Sequence, residues 1–281
     1  MSTVILKSGG WLAEAAPHLG ANLTRLSYNG KPVYLPANSP KSLQNNPFVH
    51  GSPILLPANR TANGRFCFNG QTYTLPVTEP STGANLHGSL YNAPFTVRKA
   101  AQGKVELYYR NRGAVYPFAF TLTVTYQICG KAFWQSYTLK NTGQAPMPYT
   151  FGLHTTFCAP RLFKVPLAQL QEKDLNHLPT GRLLPLSKAE QRFVLGCKPE
   201  GQVLSGYYTA AGRTATVGDF KYTVFGPFTH WVLFNAGGQS GLLCLEPLCG
   251  SVNGLNTPNC PVLKPGASVC FKTRLLPKSA E

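Results

Sequence analysis

The chain has 281 residues, of which 43% are hydrophobic and 13% are charged, a composition that excludes a disordered protein and predicts a large buried core. Lysine and arginine outnumber the acids by 26 to 10, which gives a formal net charge of +16. These basic residues are scattered singly, without the runs typical of nucleic-acid-binding arms, so we expect no nucleic-acid partner.

No stretch is apolar for long enough to span a bilayer, and the first twenty residues, MSTVILKSGGWLAEAAPHLG, lack the regions of a secretory signal. We therefore expect a cytoplasmic protein with no membrane partner. The eight cysteines lie mostly inside apolar runs, as at Cys129, Cys244 and Cys270, and no C-x-x-C pair or Cys/His ligand spacing occurs. Reduced core thiols and no metal site are the expectation.

The first 75 residues predict short strands joined by turns. Asn-Gly pairs at 29–30 and 69–70 lie between β-prone runs, which is a strong hairpin signal. Between these hairpins, Pro53 and Pro57 bracket an apolar triplet and exclude a helix. The segment is predicted to be an extended cavity wall that presents Arg60 at its end.

Residues 95–110 and 117–140 alternate apolar and polar side chains, which is typical of strands with one buried face. In the second segment the apolar side chains share one parity: Phe118, Phe120, Leu122, Val124 and Tyr126. These strands are predicted to form the broad face of a sandwich. Because 27 glycines and 24 prolines are spread through a chain without long helical periodicity, the whole protein is predicted to be all-β.

Prolines break every window between residues 165 and 195, so short helices are expected only around Leu167 to Leu170 and Ser187 to Phe193. Further strands are predicted at 214–217, 221–225, 231–235, 241–245 and 268–276. No change of composition marks a linker, so we expect a single domain over residues 1–281.

The stretch from Gly241 to Gly250, GLLCLEPLCG, predicts a core strand that ends by placing the carboxylate of Glu246 before Pro247. An ionised carboxylate in apolar surroundings costs several kcal/mol unless it is paired, and a raised pKa is the usual relief. Glu246 is therefore a candidate general base. The alternative is a structural carboxylate paired with a buried arginine or with backbone amides.

Three further residues are candidates for chemistry. His87 precedes a glycine in a turn-rich segment, and the alternative is a loop histidine exposed to water. His154 lies in a strand among aromatic residues, and the alternative is a core histidine bound to backbone groups. Arg60 could be an ordinary surface charge. Together with Glu246 they supply a base, an acid and two orienting donors.

Other kinds of catalysis lack their motifs. The sequence has no G-x-S-x-G nucleophile elbow and no glycine-rich phosphate loop. A glycosidase needs two carboxylates, and neither Asp174 nor Asp219 lies in a context that suggests an active site.

Several segments carry a family resemblance. NRTANGRFCFNGQTYTL at 59–75 and NLHG at 85–88 resemble the N-R and N-x-L-H-G signatures of aldose 1-epimerases, also called galactose mutarotases. GLHTTF at 152–157 resembles the family's G-x-H-P-Y-F strand, and LEP at 245–247 resembles its E-P motif. HLPTG at 177–181 is similar to a P-x-G turn of the family.

This resemblance implies a β-supersandwich, formed by a single large antiparallel β domain, that interconverts the α and β anomers of a free sugar without a cofactor. By the same resemblance, Glu246 takes the proton of the anomeric hydroxyl and His154 protonates the ring oxygen. His87 and Arg60 would hold sugar hydroxyls and the ring-oxygen side of the sugar. We expect the Glu246 carboxylate and the His154 ring to face each other across roughly 5 to 7 Å, the width of a pyranose.

Aromatic faces commonly stack on sugars, and Phe157, Tyr208 and Trp231 are candidates for this role. The chain also departs from the family pattern. Threonines at 155–156 replace Pro-Tyr, Ser89 replaces a glycine, and the family's sugar-binding aspartate has no counterpart around 204–208.

These departures, with the net charge, leave two alternatives to a mutarotase of a free aldose. One is a hexose-6-phosphate 1-epimerase, and the other is a non-catalytic sugar-binding or sensing protein. The expected partner is a small-molecule sugar, bound by a monomer or homodimer.

Overall fold

The computed structural model describes residues 3–239 and 241–278, and 51% of the residues lie in strands. In the first half of the chain the strands are β1 (Val4–Ser8), β2 (Trp11–Ala16), β3 (Asn22–Tyr28), β4 (Lys31–Pro32), β5 (Ile54–Leu55), β6 (Arg60–Thr61), β7 (Arg65–Phe68), β8 (Gln71–Thr74), β9 (Asn85–Leu86), β10 (Thr96–Ala101), β11 (Lys104–Asn111), β12 (Phe120–Cys129) and β13 (Ala132–Asn141).

In the second half the strands are β14 (Met147–Pro148), β15 (Phe151–Leu153), β16 (Thr155–Cys158), β17 (Phe163–Lys164), β18 (Leu167–Lys173), β19 (Pro179–Pro185), β20 (Ser205–Ala210), β21 (Thr214–Val217), β22 (Phe220–Phe225), β23 (His230–Phe234), β24 (Leu242–Cys249), β25 (Val262–Leu263) and β26 (Ser268–Pro277). The helices are α1 (Pro40–Asn45) and α2 (Lys188–Leu195), with short 3-10 turns at Pro47–Val49, Ala62–Gly64, Leu90–Asn92 and Gly254–Asn256.

Two large antiparallel sheets form the body of the fold. Within the described ranges, one sheet has the order β10-β11-β12-β13-β26-β22-β21-β17, and the other has the order β19-β18-β20-β23-β24-β15-β5, with β16 also paired to β24. A smaller sheet contains β1 to β4. Aromatic rings join the inner faces of the two large sheets, as where Phe151 of β15 stacks on Phe271 of β26 at 4.2 Å between centroids. The all-β sandwich expected from the sequence is confirmed.

The turn chemistry of the sequence places the hairpins correctly. The Asn-Gly pair at 29–30 joins β3 to β4, and the pair at 69–70 joins β7 to β8. Strands β12 and β13 form a long hairpin in register from Phe120, opposite Asn141, to Cys129, opposite Ala132. The five side chains predicted to share a parity before and along β12 are all buried.

The helix predictions are half right. Ser187 caps α2 by accepting a hydrogen bond from the backbone N–H of Glu190, so the second expected helix is confirmed. The first is wrong, because residues 167–170 belong to β18, which pairs with β19 on one side and β20 on the other. Pro179 and Pro185 lie at the two ends of β19, an edge strand that needs no further ladder bonds, and Pro166 directly precedes β18.

All eight cysteines lie in the described residues and are free. Cys244 is buried in β24 as expected, but Cys129 and Cys270 are exposed. Cys129 ends its strand at a turn, and Cys270 lies on the outward parity of β26, so the expectation of core thiols is wrong for these two. Among the described residues, no helix has both the length and the apolar character needed to cross a membrane.

Candidate active site

Strand β24 is buried along its whole length and carries Glu246 in its middle rather than at its end. On one side the ladder with β23 is continuous, and Val232 lies opposite Glu246. On the other side the ladder is interrupted between Gly152, opposite Leu248, and Thr155, opposite Leu245. The interruption lies opposite Pro247 and Glu246, because proline has no N–H to donate there. It opens the sheet beside the carboxylate.

His154 occupies this interruption, between β15 and β16. Its Nε2 lies 3.3 Å from Oε1 of Glu246, and the two side chains are only 7% and 3% exposed. The other His154 ring nitrogen, Nδ1, and the other Glu246 oxygen, Oε2, have no hydrogen-bond partner within the described part of the chain. Each residue therefore keeps one polar atom free.

The separation of these two groups corrects the expectation of a gap as wide as a pyranose. At 3.3 Å, the Glu246 carboxylate and the His154 imidazole touch. A molecule in the cavity would therefore lie against this pair rather than between its members.

Burial controls the protonation of the pair. It raises the pKa of Glu246 to about 8, against the opposing charge of Arg60. It lowers the pKa of His154 to about 4 and holds that of His87 well below its usual value. Between about pH 4 and pH 8 the Glu246–His154 pair consequently binds one proton, which belongs to the pair as a whole.

His87 follows β9 with a positive φ of 64° and is buried, so it is not a solvent-exposed loop histidine. Its ring meets that of His154 edge-on at 5.2 Å between centroids, and the ring of Phe48 lies 4.5 Å away on another side. A Cβ on Gly88 would lie 2.2 Å from the backbone oxygen of Leu56. Glycine is required there because the two backbone segments pack closely.

Arg60 lies in β6 and is held by two neighbours. Its Nε and Nη2 each donate to the Glu79 carboxylate at 2.6 Å, and its Nη1 donates to the Tyr207 hydroxyl at 2.8 Å. The hydroxyl of Thr82 also donates to Glu79. Burial alone would raise the pKa of Glu79, but these hydrogen bonds and the Arg60 charge lower it. The carboxylate is therefore ionised and neutralises the guanidinium.

A cavity of about 350 Å³ brings the four predicted polar residues together. Its walls contain Asn46, Phe48, Val49, Asn59, Arg60, Glu79, Leu86, His87, His154, His177, Ser205, Tyr207, Val232, Leu233, Phe234 and Glu246. Among the described residues, no group of three or more His, Cys, Asp or Glu side chains is arranged to hold a metal ion.

The three aromatic residues expected to stack on a sugar lie elsewhere. Phe157 packs edge-on against Tyr34 and Tyr222 in the core. The Tyr208 hydroxyl donates to Glu190 of α2, and Trp231 is 1% exposed in the main core. All three point to the opposite face of the sheet, because successive side chains of a strand alternate between its two faces.

Four further side chains of the cavity wall are not singled out by the sequence. Tyr207 and Val232 occupy the wall that Tyr208 and Trp231 were expected to provide, one position away in each strand. His177 and Glu79 also line the wall. The sequence does carry a signal for Glu79, since it is one of only ten acids and lies in the turn-rich segment just before His87.

The fold, with a carboxylate and an imidazole in contact at its cavity, defines the protein as a galactose mutarotase-like sandwich. A galactose mutarotase-like protein of Clostridium acetobutylicum matches it with a TM-score of 0.89 over 97% of this chain and 94% of its own, at 20% identity. For galactose 1-epimerase of Lactobacillus acidophilus the TM-score is 0.80 over 98% and 93%, at 14% identity. The GalM/aldose epimerase homologue of C. elegans matches with a TM-score of 0.80 over 98% of both chains, at 16% identity. At these identities the likeness establishes the fold.

The chain belongs to the aldose 1-epimerase family, whose sequence model matches residues 3–276. The resemblance of its motifs to that family is thereby confirmed. It is also similar to the uncharacterized protein YihR of Escherichia coli K12, with 28% identity over 187 residues. That match covers 63% of this chain and 59% of YihR, less than two thirds of the relative.

Proposed function

We propose that the protein is an aldose 1-epimerase that interconverts the α and β anomers of a free aldose by acid–base ring opening and closure. The observation that carries this proposal is the contact between the buried Glu246 carboxylate and the His154 imidazole in the wall of a cavity. Membership of the aldose 1-epimerase family supports it.

The reaction starts from the state with the pair's single proton on His154. Glu246 takes the proton of the anomeric hydroxyl while His154 gives its proton to the ring oxygen, so the bond between the anomeric carbon and the ring oxygen breaks and a carbonyl forms. Rotation about the bond between the first two sugar carbons exposes the other carbonyl face. Glu246 then returns its proton to the carbonyl oxygen, His154 takes the proton of the ring hydroxyl, and the opposite anomer closes.

The remaining polar groups would hold the sugar. The Tyr207 hydroxyl accepts from Arg60, so its own proton is available for a sugar oxygen. Burial keeps His87 neutral, so one ring nitrogen can donate and the other accept. Neither group needs to change its charge during the reaction.

Polarimetry tests this proposal directly. Freshly dissolved α-glucose and α-galactose should relax to their anomeric equilibrium faster with the purified protein than without it. Glu246→Gln should abolish the acceleration, while the matched change Glu200→Gln, at an exposed residue outside the cavity, should leave it intact. No acceleration of any sugar by the wild-type protein, or full activity of Glu246→Gln, would reject the proposal.

One observation favours a second candidate, a hexose-6-phosphate 1-epimerase. The Lys173 amine contacts two residues of the cavity wall, at 2.8 Å from the backbone oxygen of Ser205 and 5.2 Å from the centre of the Tyr207 ring. Arg60 argues against it, because Glu79 already occupies that guanidinium. A higher kcat/KM for glucose 6-phosphate than for glucose, with inhibition by inorganic phosphate, would establish the second candidate.

A non-catalytic sugar sensor is the remaining alternative, motivated by the altered motif positions at Ser89, Thr155 and Thr156. Saturable binding of sugar by calorimetry without any acceleration of anomerisation would establish it. We further propose that residues 1–281 act as one cytoplasmic domain, as a monomer or homodimer, which fractionation and light scattering would test.

A further inference from the structure

A second and larger cavity, of about 1120 Å³, lies beside the candidate active site. It is bounded by the small sheet of β1 to β4, by α1 and by the turn at Leu90–Asn92, and we name it the side groove. Cavities that hold drug-sized ligands measure roughly 300 to 1,000 Å³. The active-site cavity is thus near the lower end of that range, whereas the side groove has room for a longer ligand.

Phe48 is the shared wall of the two cavities. On the active-site side its ring lies 4.5 Å from the ring of His87 and 6.0 Å from that of His154. On the groove side it meets Tyr91 edge-on at 4.8 Å, and Tyr91 lines the groove but not the active-site cavity. A ligand that extends from the catalytic pair past Phe48 would therefore enter the side groove.

The lining of the groove mixes apolar side chains with uncharged polar ones and carries no net charge. Its charged residues are Glu14 and Arg25, which pair with each other at 3.1 Å, and burial lowers the pKa of His18. The exposed amides of Gln44 and Asn92 have no side-chain hydrogen-bond partner within the described ranges. In a protein of net charge +16, this neutral surface of amides and aromatic rings suits an uncharged polyhydroxyl ligand.

We propose that the side groove is a second sugar subsite, and that the preferred substrate is the reducing end of an oligosaccharide rather than a monosaccharide. The proposal rests on the anomerase function proposed above. The catalytic pair requires a free anomeric carbon, so only the reducing-end unit can occupy the active-site cavity. The next unit, linked through another carbon of that sugar, passes over the Phe48 ring and donates and accepts hydrogen bonds with Gln44 and Asn92.

Paired substrates test the subsite. Anomerisation of maltose is compared with that of glucose, and anomerisation of lactose with that of glucose, by NMR at the anomeric protons. We expect kcat/KM for at least one disaccharide to exceed that for glucose about tenfold, the effect of about 1.4 kcal/mol of added contacts. Calorimetry of the same sugars should show the same preference in affinity. Equal or weaker kcat/KM and binding for both disaccharides would overturn the subsite.

Groove variants locate the effect. Asn92→Ala and Gln44→Ala change exposed side chains and should lower the ratio of disaccharide to monosaccharide kcat/KM severalfold. Gln127→Ala, on the outward parity of β12 in the other sheet, is the matched control and should keep the wild-type ratio. A ratio unaffected by both groove variants would reject the subsite. If glucose is anomerised without a disaccharide preference, only the subsite fails; if no sugar is anomerised, the proposed function fails, and calorimetry still decides the subsite.

Discussion

The protonation of the Glu246–His154 pair predicts how activity depends on pH. In the proposed reaction the productive state holds one proton on the pair, which is its state between the pKa of about 4 for His154 and the pKa of about 8 for Glu246. Above pH 8 the pair loses that proton and His154 has none to give to the ring oxygen. Below pH 4 a second proton binds and Glu246 cannot act as a base. We therefore expect kcat/KM to be flat between these values and to fall outside them.

The size and position of the alkaline limb follow from the same groups. Because one proton is lost, kcat/KM should fall about tenfold for each pH unit above the pKa that sets the alkaline limb. The Arg60 charge lowers the pKa of Glu246, so Arg60→Met should move the limb to higher pH. Arg60→Lys keeps the charge and should leave the limb near the wild-type position, whatever either change does to KM.

The assay is polarimetric kcat/KM from pH 5 to pH 10 at constant ionic strength. The uncatalysed rate is subtracted at each pH because acid and base both catalyse mutarotation. A rate that continues to rise above pH 9 would refute the reasoning, since it would mean that deprotonated Glu246 acts without a proton from His154. A limb that moves down in Arg60→Met would refute the electrostatic part alone.

Three further predictions concern stability and the cavity wall. Burial raises the pKa of Glu246 in the folded state and so favours the protonated carboxyl. The protein therefore loses stability as the pH rises from the unfolded-state pKa of about 4.5 towards the folded-state pKa of about 8. Glu246→Gln removes this loss and should raise the melting temperature at pH 8 more than at pH 5. Glu79→Gln should free Arg60 and strengthen inhibition by inorganic sulfate severalfold, while the free energy of unfolding in urea falls by about 1 to 3 kcal/mol. The Thr155 hydroxyl lies 2.9 Å from the Ser52 hydroxyl and 3.1 Å from the Tyr222 hydroxyl, and all three are buried. Thr155→Val leaves the other two without this shared partner and should lower the free energy of unfolding in urea by about 1 to 3 kcal/mol. Thr155→Ser keeps a hydroxyl and should retain most of the wild-type free energy of unfolding.

Local sequence signals predicted the parts of the fold that local chemistry decides. Asn-Gly pairs need left-handed backbone and placed two hairpins, and Ser187 with Glu190 placed a capped helix. The segment at 167–170 is wrongly predicted as a helix because it is held as a strand by pairing with β19 and β20. β20 is distant along the chain and β19 has an irregular sequence, so neither pairing is visible locally. Exposure of Cys129 and Cys270 likewise depends on which face of its sheet each strand turns outward.

The site was predictable where a residue type conflicts with its surroundings. A carboxylate inside the apolar run of β24 is costly, so Glu246 could be singled out from one strand alone. The proposed stacking role of Tyr208 was wrong by a single position, and its neighbour Tyr207 lines the cavity instead. Adjacent tyrosines on a strand point to opposite faces, and the sequence pattern of β20 is aromatic on both, so it does not say which face meets the cavity.

Glu79 shows why the missing acid could not be located by position. The aspartate expected around 204–208 has no counterpart there, yet the cavity does contain a second carboxylate, supplied by the segment before β9. The charge of Arg60 and the hydrogen bonds from Arg60 and Thr82 lower the pKa of that carboxyl, whereas burial raises the pKa of Glu246, so the two glutamates of one cavity are shifted in opposite directions. In the proposed reaction only the Glu246–His154 pair therefore exchanges protons with the sugar, and Glu79 holds a guanidinium that is already neutralised before any substrate binds.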